Sequence, residues 1–240
     1  MTSKTIWHEQ AFEVAMVSDL PLAARRFFLF AMKPGTPLRT VAELKITGDL
    51  RPEGLSDTVT IQNYQVLAAP HGSLSRYSSI GRFIPLCGTA LLNEAQAMVA
   101  FWRWRLVPSW RKSRHYPPSL LFERMAVEAA LWTPAALLPQ NGVKWHGVSA
   151  TVAKAVIAND TRSQEIEFTV KESGQLVAIR GIGAQATTAK PANFRDLEGY
   201  RLPTLVDFEA SGEDAALPLL AKARLESIRF IGPWIGSSHS

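Results

Sequence analysis

The chain has 240 residues, 47% of them hydrophobic and 20% charged, with a formal charge of +5 from 26 Lys and Arg against 21 Asp and Glu. This balance excludes a disordered chain, and folding at this length removes about 70–75% of the unfolded surface from water. A single cysteine, Cys87, excludes an internal disulfide framework and a cysteine-based zinc cage, and no run of residues is apolar and uncharged enough to span a bilayer.

The opening residues, MTSKTIWHEQAFEVAM, carry acids and no continuous apolar run, unlike a secretory signal. A cytoplasmic location is expected, or a periplasmic one if an export segment was removed. Residues 1–33 read as a helical segment. In LPLAARRFFLFAM (20–32), Pro21 falls in the first turn, where its missing N–H costs nothing. Leu22, Phe27, Leu29 and Phe30 give this helix an apolar surface, and KPGTP at 33–37 stops it.

Strands follow. Residues 41–51 set Val41, Glu43 and Lys45 against Ala42, Leu44 and Ile46, and residues 57–68 alternate less regularly through Val59, Ile61 and Tyr64. PHGS (70–73) is a turn, and 74–92 holds two strands broken near Pro85 and Gly88. Residues 97–107 read as one strand, with Trp102, Trp104 and Leu106 on one face and Arg103, Arg105 and Val107 on the other.

Residues 119–132 form a helix that is apolar almost all round, interrupted by Glu123, Arg124 and Glu128, with Pro134 to end it. Arg124 and Glu128 are spaced to pair. Strands resume with Val143, Trp145 and Gly147 opposed to Lys144, His146 and Val148. In 164–172, Ile166, Phe168 and Val170 share a face, and ESGQ (172–175) turns the chain at Gly174. A hairpin over 193–209 turning at LEGY and a last strand over 222–231 complete the pattern.

About ten antiparallel strands with one embedded helix exclude a doubly wound parallel sheet. The fold class expected is mainly antiparallel β (α+β): one domain over 1–240, with a curved half-barrel sheet over 41–232 and the helix at 119–132 across its concave face. That helix is then either part of a packed half-barrel core, the commoner meaning of such residues, or the cover of a hollow. Trp102, Trp104, Leu121, Met125, Trp132 and Trp145 are the residues suited to line it against a lipid-like or other apolar ligand.

Other chemistry is sparse. A carboxylate from Glu123 or Glu128 beside His146 would permit proton transfer, but the spacing does not force them together. If Glu123 is buried without a partner, its pKa should rise. Between Glu94 and Glu123 stand five cations, Arg103, Arg105, Arg111, Lys112 and Arg114, and no acid. Arg111, Lys112 and Arg114 are candidates for contact with headgroups or phosphate, and an interaction module binding anionic membrane or nucleic acid through residues 101–115 is an alternative function, although a solvated face is the commoner meaning of such a run. No specific nucleic acid is expected, since Trp102 and Trp104 face away from Arg103 and Arg105. There is no phosphate loop, nucleophile elbow or metal-ligand spacing, so no metal or cofactor is expected. Oligomeric state is open.

Several segments resemble a bacterial family of unknown function. They are LWTPAALLP (131–139), VKW (143–145) and the strand pair over 150–180, with LPLAARRFF (20–28), DLEGYRLPT (196–204) and ARLESIRF (223–230). The resemblance covers most of the chain and implies similarity to the outer-membrane lipoprotein carrier fold, an open half-barrel whose hollow helices close. It implies no reaction and no site residues. Members often follow a membrane-spanning N-terminus, absent here, and carry Trp where this chain has Phe208.

Overall fold

The computed structural model describes residues 10–50, 58–81, 86–103, 107–110, 117–183, 186–210 and 220–232. After a 3-10 turn at Val14–Val17 come helix α1 (Leu22–Ala31) and strands β1 (Val41–Leu50), β2 (Val59–Ala68), β3 (Gly72–Ser79), β4 (Leu86–Leu92), β5 (Ala97–Arg103) and β6 (Val107–Trp110). Helix α2 (Pro118–Trp132) follows, and two further 3-10 turns lead into β7 (Lys144–Gly147), β8 (Val152–Ala158), β9 (Ser163–Val170) and β10 (Leu176–Gly181). The last strands are β11 (Thr187–Leu197), β12 (Tyr200–Ala210) and β13 (Leu220–Gly232).

The strands form one 13-stranded antiparallel sheet in the order β6-β5-β4-β3-β2-β1-β13-β12-β11-β10-β9-β8-β7. The chain starts in the middle, steps outward to β6, crosses to the opposite edge at β7, and returns to lay β13 beside β1. Helix α2 is the main part of that crossing, so topology alone obliges it to run over a face of the sheet. The open curved sheet agrees with the fold expected from the sequence, with thirteen strands in place of about ten.

The curvature can be read from contacts between distant strands. Arg162, in the β8–β9 turn, donates to the carbonyls of Asn93 and Glu94 in the β4–β5 turn at 2.9 and 3.3 Å, and Asn159 Nδ2 donates to Pro70 O at 3.1 Å. Between β4 and β9 the sheet contains β3, β2, β1, β13, β12, β11 and β10. At about 4.8 Å per strand, a flat sheet would hold those turns nearly 40 Å apart. The sheet therefore curls until its two wings clasp at this end.

Alternation explains which face is concave. In β2, Val59, Ile61, Asn63, Gln65 and Leu67 are buried, while Thr60, Tyr64 and Val66 are exposed. In β9, Ile166, Phe168 and Val170 are buried, as their spacing predicts. Both helices pack against this inner face. Phe27 of α1 meets Phe168 with ring centroids 5.1 Å apart, and Trp145 lies 4.8 Å from Phe168 and 5.4 Å from Phe28. Such tilted aromatic contacts fix α1 over β7 to β9.

Three local expectations need correction. Residues 97–107 are not one strand: β5 ends at Arg103, and β6 folds back with Val107 opposite Arg103 and Trp110 opposite Phe101. An alternating pattern can run unbroken through two paired strands, and no Gly or Asn stands between these two in the sequence, so periodicity could not separate them. Of the helical segment expected over 1–33, the described residues hold helix α1 and, ahead of it, only the 3-10 turn. The hairpin expected at 193–209 is longer, beginning at Thr187, although it turns at Glu198 and Gly199 as anticipated.

The β9–β10 hairpin also locks α1 in place. Gly174 has φ +86°, and a Cβ there would overlap the carbonyl of Arg26. Gly174→Ala should therefore cost on the order of 1–3 kcal/mol through left-handed strain and displacement of α1. Urea denaturation of the two proteins checks this value.

Candidate functional site

Helix α2 begins with Pro118 at its first position and is closed by Pro134 just after Thr133. Between them, every residue from Leu120 to Trp132 is buried. A helix on the rim of a sheet shows one wet flank; this one shows none, because it touches β2, β3 and β4 on one wing and β9, β10, β11 and β12 on the other. Its apolar side chains meet inward residues of both wings, and one hydrophobic cluster contains Leu121, Met125, Leu44, Ile46, Ile166 and Ile179.

Three charges enter this apolar setting, and they behave differently. Arg124 Nε donates to Glu128 Oε1 at 2.9 Å, an i,i+4 pair that is almost wholly buried. The other oxygen of Glu128 accepts from Gln65 Nε2 at 2.5 Å, and Gln65 Oε1 accepts a long hydrogen bond of 3.4 Å from Asn63 Nδ2. Burial penalises the Arg124 charge, but the neighbouring Tyr77 and Glu128 outweigh that penalty and move its pKa up. Tyr77 in turn stacks on Phe101 at 5.7 Å, a ring that fits because Gly88 opposite it has no side chain. The network thus ties α2 to β2 and β3, and it stops at Asn63 Oδ1, a buried acceptor without a partner.

Glu123 lies apart from this network. Its Oε1 accepts the backbone N–H of Thr187 at 2.8 Å, at the start of β11. A side chain at Gly181 would overlap the Glu123 carboxylate, so the glycine makes the room this acid occupies. Burial raises the pKa of Glu123 above its ordinary 4.5, and the hydrogen bonding of Thr187 opposes that only partly. The sequence ties such a rise to a Glu123 without a partner; here burial raises the pKa although Thr187 is hydrogen-bonded to the carboxylate. Among the described residues, Trp132 Nε1 is also buried without a hydrogen-bond partner, and the Thr187 hydroxyl has none closer than the Glu123 carboxylate it acts on.

The remaining sequence candidates are dispersed. Trp102 pairs in register with Cys87 on the sheet face opposite to Phe101, and it is Phe101 that packs into the core. Trp104, Arg111, Lys112 and Arg114 lie outside the described residues. Leu121, Met125 and Trp132 are buried on α2, whereas Trp145 belongs to the aromatic group beneath α1 and donates its Nε1–H to Leu137 O at 3.0 Å. His146 is exposed on edge strand β7 opposite Lys154, and it meets neither Glu123 nor Glu128. Those two acids are themselves five residues apart on α2 and bind different wings.

The polar groups that do converge, Asn63, Gln65 and Tyr77, were not singled out in the sequence. Their signal was present: Asn63 and Gln65 occupy inward positions of the β2 alternation, where an apolar residue is the rule.

Among the described residues, clefts occur elsewhere. One, of about 440 Å³, lies at the clasped end between Pro70, Glu94, Asn141 and Asp160. Another, of about 460 Å³, lies beside Asp49, Thr60, Lys190 and Lys222. Neither is lined by α2. Among the described residues, no group of three His, Cys, Asp or Glu side chains is placed to hold a metal ion, and no helix is long and apolar enough to cross a membrane.

Residues 10–210 match a family described as a family of unknown function, DUF6544. No curated protein matches the sequence. Among solved structures, the chain is similar to a LolA superfamily protein of Nitrosomonas europaea at 8% identity, covering 87% of this chain and 91% of that one with a TM-score of 0.48. It is also similar to a DUF1329 family protein of Desulfovibrio piger at 8% identity, with coverages of 88% and 90% and a TM-score of 0.39.

The buried charges give two measurable consequences. Arg124→Met should cost about 3–5 kcal/mol by stranding Glu128, while the double substitution Arg124→Met with Glu128→Leu recovers most of that loss; urea denaturation measures both. The raised pKa of Glu123 means the folded state holds this proton more tightly than the unfolded chain. Its contribution to stability is present below pH 4.5 and is lost as pH rises through the folded pKa. Glu123→Gln keeps the hydrogen-bond acceptor without the charge. Its stability relative to the native protein should therefore grow with pH across that window, as denaturation at a series of pH values would show.

Proposed function

The chain belongs to the DUF6544 family, and we propose that it is a non-enzymatic binding protein holding a lipid-like or other apolar ligand between the concave sheet and α2. The observation that carries this reading is the burial of α2 on every side within the curve of the sheet. A wall that accepts an apolar rod from both wings offers an acyl chain the same medium: aliphatic and aromatic side chains with few polar groups.

The buried atoms without partners support the same reading. Asn63 Oδ1 and Trp132 Nε1 are both on α2 or the sheet face it covers. A core selected for stability alone satisfies such groups, since each one left unpaired costs about 1–3 kcal/mol. In a binding protein, they are groups that an occupant's polar atoms complete. The separation of Glu123, Glu128 and His146 favours binding over proton-transfer catalysis.

Native mass spectrometry of the full chain should show added mass of a lipid-like molecule, either co-purified or supplied as a long-chain alcohol. Bound ligand should raise Tm in proportion to RT ln(1 + [L]/Kd). Absence of both effects would end the proposal.

A further inference from the structure

Of the three charges on α2, Arg124 and Glu128 neutralise each other, whereas no cation faces Glu123 among the described residues. One carboxylate oxygen of Glu123 is held by the Thr187 N–H, and the other points toward Gly183, lying 3.6 Å from where that residue's Cβ would be. Gly183 is exposed, and neither it nor Gly181 sets a side chain against the Glu123 carboxylate. Thr187, whose N–H fixes the carboxylate, is 1% exposed, and its hydroxyl, which has no closer partner among the described residues, acts on the same carboxylate.

We propose that Glu123, Thr187, Gly181 and Gly183 form a site for a primary ammonium group, the polar end of an amphiphilic amine whose chain lies in the hollow. The proposal rests on the apolar-ligand reading and adds the headgroup to it. An ammonium carries three donors and no acceptor, which matches the second carboxylate oxygen of Glu123 and the lone pairs of the Thr187 hydroxyl oxygen. It also supplies the positive charge that a buried acid lacks, through a charge-assisted hydrogen bond stronger than a neutral one. An alcohol can offer one donor and no charge, and a carboxylate or phosphate headgroup meets charge of its own sign. The glycines serve the same end: a β-carbon at position 181 would displace the acid.

The test uses the full chain with dodecylammonium, dodecanol and dodecanoate, measured by calorimetry. The native protein should bind dodecylammonium about tenfold tighter than dodecanol, with dodecanoate the weakest, and in Glu123→Gln the ratio of the first two affinities should fall to near one. In native protein labelled at the glutamate carboxyls, NMR titration should show the Glu123 pKa falling when dodecylammonium binds and not when dodecanol binds. This second measurement decides the matter even if the variant fails to fold. Equal affinities in the native protein, a preference that survives Glu123→Gln, or an unmoved pKa overturns the ammonium site and leaves the apolar-ligand reading standing. Failure of all three probes to bind, dodecanol included, removes the apolar-ligand reading and this site together.

Discussion

The crossing from β6 to β7 governs the rest of the structure. A meander that grows outward from the middle of a sheet must, at its edge, either stop or travel to the other edge, and this chain travels. The connection runs from Trp110 to Lys144, and the sheet curls until its two wings clasp at one end, so a route through the concavity joins its edges. Helix α2 takes that route. From this follow its burial on every side, its lack of a polar flank, and the return of β13 to pair with β1 along nearly its whole length.

A helix in such a position is held by more than the hydrophobic effect. Apolar burial is non-directional and leaves a smooth rod free to slide or rotate in a smooth trough. The Arg124–Glu128 pair with Gln65 on one side, and Glu123 with the Thr187 N–H on the other, are directional and tie α2 to each wing of the sheet. The desolvation of these charges offsets much of what they contribute, so their effect falls on rotation and register more than on net stability.

The two attachments differ in kind. On the β2–β3 side, the charges are balanced and their hydrogen bonds connect through Gln65 to Asn63. On the β10–β11 side, one acid stands against backbone and glycine with no counter-charge among the described residues. Because a helix turns by 100° per residue, Glu123 and Glu128 cannot share a wall. The structure thus separates the groups that a proton-transfer reading would need together, and gives each a different environment.

The sequence by itself determined the periodicities. It marked β1 and β9, the apolar α2 with its two prolines, the Gly174 turn, and the spacing by which Arg124 meets Glu128, because these depend on neighbours a few residues away. It also carried the polar residues at inward positions of β2, which have meaning only once a facing helix is known. Only the tertiary structure decided that β6 pairs back on β5, that Phe101 and not Trp102 faces the core, and that His146 is exposed on an edge strand while both acids on α2 are buried. Strand parity leaves the choice of inner face to whichever side is covered, and the covering here comes from a helix and strands that are distant in the chain.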